Sequence, residues 1–373
     1  MNIWRVLVCG CSLAVLAGCG NANDFPETGG TGVSGAASAA GTESSGPPAW
    51  RAAVAVSGTS SGDQAVAAQH ADGRGVVVWR ADGDQVWSNR LVGGTWSGPQ
   101  RINEGAGRGQ YPQVAFAGND IVAAWGRDDI WLARFNGSGW SEGERVVNTR
   151  GRPRVSLAAN AQGHILLSWY LTDRYATIYV CRFDPASGWS EVITLTRNDL
   201  LRFSVSPPEV ALDAAGNAAV VWRQYDNGGT RFWWSRFNGH GWSRAELVDF
   251  GGDNVASLRL RGLPNEIIAV WPGADGINAR RLTAGGWTAT ERVMPTPPAA
   301  EARALDTNAA GDYLMLQTNA SGAEVLMSQA GAWQSTQVAT GATSNPVVAA
   351  GDSGHALAVW QGSGGVMTAA ARY

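Results

Sequence analysis

The chain has no lysine at all: its 28 basic residues are all arginine, set against 31 acidic residues for a formal net charge of −3. A charge so small and so mixed excludes a surface built as a whole for nucleic acid or another polyanion. Cysteine is scarce too, with four in 373 residues, three of them at positions 9, 11 and 19. Cys181 therefore stands without a disulfide partner or a Cys-x-x-Cys metal pair, and a buried apolar thiol is its expected state. There are only four histidines, with no His-Glu-x-x-His and no Gly-x-Ser-x-Gly. Those absences argue against a zinc hydrolase and a triad hydrolase, and no cofactor or metal is expected.

What the chain has in excess is tryptophan, 18 residues, and glycine, 49 residues. With 45% hydrophobic residues it can bury one large core or several small ones. At the N-terminus, "MNIWRVLVCGCSLAVLAGC" combines an early positive charge at Arg5 with an apolar run too short to span a bilayer as a helix. Its ending, Leu16-Ala17-Gly18-Cys19, resembles a bacterial lipobox, in which the cysteine is acylated and becomes the first mature residue. The resemblance implies a lipoprotein signal peptide over 1–18 and a lipid on Cys19. Gly20 at the next position is similar to the pattern of lipoproteins sent to the outer membrane. Residues 19–48 then read as the lipidated cysteine and a flexible Gly/Ser/Ala linker, placing the remainder in the cell envelope.

The segment "RFNGSGWSEGERVV" at 134–147 returns as "RFNGHGWSRAELV" at 236–248. Tryptophan after a Gly-rich turn recurs at Trp50, Trp96, Trp140, Trp189, Trp242, Trp287 and Trp333, with spacings from 44 to 53 residues. A second series closes short β-rich runs such as "GVVVW" and "AAVVW": Trp79, Trp125, Trp169, Trp222, Trp271 and Trp360, with Leu316 in the one missing place. A period in the mid-forties means a solenoid or a propeller. Four short strands per unit cannot stand alone and must stack face to face. The last unit stops at "VMTAAARY" after three strands, and "AWRAAVAVS" at 49–57 is expected to supply the fourth. The expected fold is all-β: a seven-bladed β-propeller over 49–373 with four-stranded blades, closed by an N-terminal strand that completes the last blade.

The Trp-Ser turns make this domain resemble the sialidase-like and lectin-like bacterial propellers, although the Ser-x-Asp-x-Gly-x-x-Trp box of sialidases is missing. Repeated residues read as scaffold. Arg90, Arg134, Arg182, Arg236 and Arg281 fall at one place in each third strand, which predicts ion pairs or hydrogen bonds between blades. The resemblance implies that ligands approach the face carrying the loops into first strands and between second and third strands. His70, His164, His240 and His355 then lie on the opposite face. On the ligand face, alignment of the first strands places Gln113, Arg154, Glu209, Arg259, Arg303 and Val347 around the mouth of the central channel. Three arginines about one glutamate predict a positive funnel for a carboxylate or other anion. Arg80, Arg127, Tyr170, Arg174, Tyr175, Arg223 and Tyr225 in the neighbouring loops are candidates to grip sugars.

Three functions fit these residues. The first is a binding or interaction module, membrane-anchored through its lipid and monomeric, whose partner is an anionic glycan or an envelope protein. The second is a glycoside hydrolase resembling sialidases. There Arg154, Arg259 and Arg303 match the arginine cluster, Tyr170 or Tyr225 pairs with Glu209 as nucleophile, and Asp128 or Asp173 is the acid. The third is a structural component of an envelope assembly.

Overall fold

The computed structural model describes residues 48–149, 151–172, 176–196, 204–226, 229–250, 258–273, 276–295, 302–329 and 331–373. The signal peptide assigned to 1–18, Cys19 and all of the linker but residue 48 lie outside the described residues, as do Asp173, Arg174 and Tyr175 and the side chain of Arg303.

The described chain forms seven antiparallel sheets, each a blade of four or five strands read from the channel outward. The inner strands are Asp63–Gln69, Gln110–Ala117, Arg154–Ala159, Glu209–Leu212, Arg259–Gly262, Ala302–Thr307 and Ser344–Ala350. They touch in cyclic order and the seventh touches the first, so the ring is closed. The outer strand of blade 7 comes from the N-terminal side: Val54 pairs with Ala369 and Ala55 with Thr368, and Trp50 bridges Arg372. This pairing covers the edge that blade 7 would otherwise expose.

No single core runs through the molecule. Each hydrophobic cluster bridges two adjacent blades, as where Leu166 and Val180 of blade 3 meet Val220 and Trp222 of blade 4. The second tryptophan series fills these wedges: Trp79, Trp125, Trp169, Trp222, Trp271 and Trp360 are all at most 2% exposed. In blade 6 the hairpin register places Gln317, not Leu316, at the tryptophan position, because Tyr313 occupies the place of Gly75 in blade 1. Leu316 is buried one residue earlier, on the other face of the strand.

The repeated Gly-Trp-Ser turn has a hydrogen-bonding logic. The Asn136 side chain accepts from the amides of Ser138 and Gly139, and Asn238 does the same for His240 and Gly241. Gly137 and Gly239 turn between them at φ of 98° and 92°, a region closed to most side chains. Trp140 and Trp242 then bridge Phe135 and Phe237. At the next residue the outer strand leaves the ladder, and the serine hydroxyl takes the place of a backbone carbonyl. Ser97, Ser141, Ser190 and Ser243 accept from the amides of Arg90, Arg134, Arg182 and Arg236 at 3.0–3.2 Å while donating their own amides to those residues' carbonyls.

Four of the five repeated arginines join blades, three of them by stacking rather than by ion pairs. Arg90, Arg134 and Arg182 place their guanidinium groups over Phe135, Phe183 and Phe237 of the following blade, 3.7–4.5 Å from the ring centres. Blade 5 has Leu282 where those blades have phenylalanine, and Arg236 donates instead to the carbonyl of Ala284. Arg281 pairs with Glu266 of its own blade.

Candidate functional site

Side chains on the inner strands alternate between the channel and the blade interior. The residues paired with the one preceding each buried tryptophan are Val66, Gln113, Ser156, Glu209, Arg259 and Val347, with Ala304 opposite Leu316 in blade 6. All seven line one cavity of about 400 Å³ at the mouth of the channel. Two of the residues aligned from the sequence therefore change place. Arg154 pairs with Tyr170 and sits two residues nearer the opening than Ser156, and Arg303 pairs with Gln317, one residue before Ala304. Blade 2 spends an extra residue on a bulge between Gln110 and Gln113, whereas the inner strand of blade 3 pairs residue for residue from Arg154 onward.

Gln113, Glu209 and Arg259 are at the mouth as the sequence predicts, and Val347 lies opposite them. Glu209 and Arg259 are joined at 2.7 Å across the seam between blades 4 and 5. The amide of Leu260 also donates to Glu209. The Glu209 side chain keeps 27% of its surface accessible, but that surface faces the narrow channel rather than bulk water. This desolvation pushes its carboxyl above the usual glutamate range, and the nearby Asp306 adds to the rise. Arg259 and the Leu260 amide oppose it. Asp306, one turn of the pleat deeper, accepts from the Ala350 and Thr307 amides at 2.8 and 2.9 Å and lies 3.7 Å from Arg261. Nothing in the repeat pattern marked Asp306 as a channel residue.

Arg154 behaves differently. Its guanidinium lies 4.3 Å from the ring centre of Tyr111, and among the described residues it has no carboxylate partner. Tyr111 has a φ of 51°, unusual for a residue with a side chain, on the bulge of blade 2, and its amide donates to Gln64 of blade 1 at 2.6 Å. A strained, tied backbone thus presents the ring on which Arg154 rests. Burial raises the Tyr170 hydroxyl, which Arg154 partly offsets. Among the described side chains, Arg259 is neutralised by Glu209, Arg261 is engaged with Asp306, and Arg154 is the channel cation without a carboxylate partner.

Two candidate sugar-gripping arginines have other employment. Arg80 is bound to Asp63 at 2.7 Å, and Arg127 to Asp84 at 2.6 Å, with Arg108 and Gln110 completing the ring around Asp84. Together these contacts hold the Asp84 carboxyl below its usual range although burial acts the other way. Arg223 stacks over Tyr225 at 4.7 Å. The tyrosines named with Glu209 do not join it. Its side-chain partners are Arg259 and the Leu260 amide, and Tyr225 pairs four residues beyond Val221, the partner of Glu209, about 13 Å along the strand. Among the described residues no group of three His, Cys, Asp or Glu side chains could hold a metal ion. Cys181 is buried, and its thiol is pushed up to about 12.

No family model and no curated protein matches the sequence. Solved structures do. The chain is similar in fold to an ulvan lyase of polysaccharide lyase family PL25, with 12% identity and a TM-score of 0.53 over 85% of this chain and 95% of that one. It is similar to a protein of unknown function from Dyadobacter fermentans, with 13% identity and a TM-score of 0.52 over 87% and 98% of the two chains. AofleA from Arthrobotrys oligospora matches at 11% identity and a TM-score of 0.50, over 80% and 92%. Identities this low speak for the fold, a β-propeller architecture found among glycan-active proteins.

Proposed function

We propose that the protein is a glycan-binding module of the bacterial cell envelope that takes an acidic sugar at the channel mouth. The observation that carries this reading is Arg154, stacked on Tyr111 beside a cavity of about 400 Å³ and, among the described residues, without a carboxylate of its own. Stacking leaves the guanidinium edge free to donate two parallel bonds to a carboxylate or sulfate, while Gln113 and Ser156 offer neutral groups to the ring hydroxyls. A solved ulvan lyase of similar fold is described as bound to -[GlcA(1-4)Rha3S]-, so a propeller of this general shape is compatible with an acidic glycan. Catalysis is not part of the proposal, because among the described residues Glu209 is held by Arg259 and the nearby Asp306 is taken up by the amides of Ala350 and Thr307. A glycan array probed with the protein should light up uronate-bearing or sulfated glycans and leave their neutral counterparts dark. Equal binding to both sets would refute the reading.

The anchor belongs to the same proposal. Cys19 carries a lipid, the segment after it tethers the propeller, and the outer membrane is its destination. Cys19→Ser should move the protein from the membrane fraction to the soluble fraction, whereas retention after detergent-free washing would mean another means of attachment.

A further inference from the structure

We infer a second binding site, for a neutral pyranose, at the seam where blade 7 meets blade 1. The chain crosses there from the outer edge of blade 7, at Ala55, to the inner edge of blade 1, at Asp63. The crossing leaves two adjoining cavities of about 290 and about 320 Å³ that share Ser61, Ala81 and Asp82. Each is at the lower end of the size range of small-ligand pockets and has room for a single sugar ring.

The lining suits a sugar more than any ion. Trp87 supplies an apolar wall, and its indole N–H is held by Gln85 at 3.0 Å, which fixes the ring in place. Around it stand Ser60, Ser61, Asp82 and Gln361, whose hydroxyl, carboxylate and amide groups match the alternating donors and acceptors of ring hydroxyls. Gln361 is itself positioned by bonds to Gly62 and Asn345, at 2.7 and 2.8 Å. The one cation in the lining, Arg80, is already paired with Asp63, and Asp82 is exposed beside it, so an anionic ligand would meet net repulsion. A pyranose presents one C–H face for the indole and hydroxyls around its rim, which is the complement of this cleft.

In blade 2 the incoming loop packs on the equivalent half-buried tryptophan, for a Cβ on Gly107 would lie 2.4 Å from the indole nitrogen of Trp131. In blade 4 the nitrogen of Trp233 is buried and unpartnered. The crossing from blade 7 into blade 1 supplies Ser60 and Ser61.

The inference is independent of the channel-mouth reading and is tested with different variants. Saturation-transfer NMR on the intact protein would use methyl α-glucopyranoside, methyl β-galactopyranoside and N-acetylglucosamine as probes, with methyl glucuronoside and tetramethylammonium as charged controls. At least one neutral sugar should be saturated. Trp87→Ala and Asp82→Ala should each weaken it tenfold or more, and Arg154→Ala should leave it unchanged. Asp82 is exposed, so its substitution keeps the test sound even if Trp87→Ala impairs folding. The inference is overturned if none of the three neutral sugars is saturated, if Asp82→Ala binds as the parent does, or if a charged control binds in preference.

Discussion

Arg154 and Arg259 have the same side chain in the same cavity, and their surroundings give them different work. Arg259 is committed to Glu209, so any anion that recruits it must compete with a carboxylate already in place. Among the described residues, Arg154 has the Tyr111 ring and no carboxylate to leave. Glu209 makes this arrangement sensitive to pH. Its carboxyl is raised above the ordinary 4.5, so the folded protein holds that proton more tightly than the unfolded chain does. The stability it contributes is therefore fully present below pH 4.5 and is lost as pH rises through the raised value. Protonation also releases Arg259 from its counter-charge. Binding of a sulfated oligosaccharide, whose own charge does not titrate here, should tighten as pH falls through that window. Glu209→Gln should bind tightly at every pH and lose the corresponding slope in a denaturant-melt series. An unchanged slope in the variant would show that Glu209 is not the titrating group.

At the scale of strands, the sequence made the blades legible because tryptophan and glycine recur with the period of the fold. The buried tryptophans report the interblade wedge, and the Gly-Trp-Ser turns report where the outer strand departs from its ladder. Register within a strand was harder to read. The inner strands of blades 1, 2 and 7 are bulged while that of blade 3 is regular, so the depth of Arg154 could not be read by counting along the chain, and Gln317 was hidden by the apolar Leu316 beside it. The arginine stacks were also out of reach, since an arginine in one repeat and a phenylalanine in the next show no pairing in one dimension. These stacks should carry measurable energy between blades. Arg182→Ala and Phe237→Ala are each expected to destabilise the fold, with a coupling of about 0.5–2 kcal/mol in a double-mutant cycle by urea unfolding. Additive losses would mean that the two side chains merely lie near one another.

For the whole molecule, closure of the ring turns seven small units into one rigid frame. Each blade is stabilised mainly by its two neighbours, and the pairing of Val54 and Ala55 with the last strand leaves blade 7 no open edge. A rigid frame lets residues from different blades hold fixed positions around one channel, which is how Tyr111, Arg154, Glu209 and Arg259 come to share a cavity although nearly 150 residues separate the first from the last. The central claim is that this mouth recognises acidic sugar through Arg154, and calorimetric titration tests it most directly. A uronate oligosaccharide and its carboxyl-reduced neutral counterpart would be titrated into the parent protein and into Arg154→Ala. The account predicts binding of the acidic form alone, weakened by about 1.5–3 kcal/mol in Arg154→Ala with the melting temperature nearly unchanged. Equal affinity for the two sugars, or full affinity in Arg154→Ala, would contradict it.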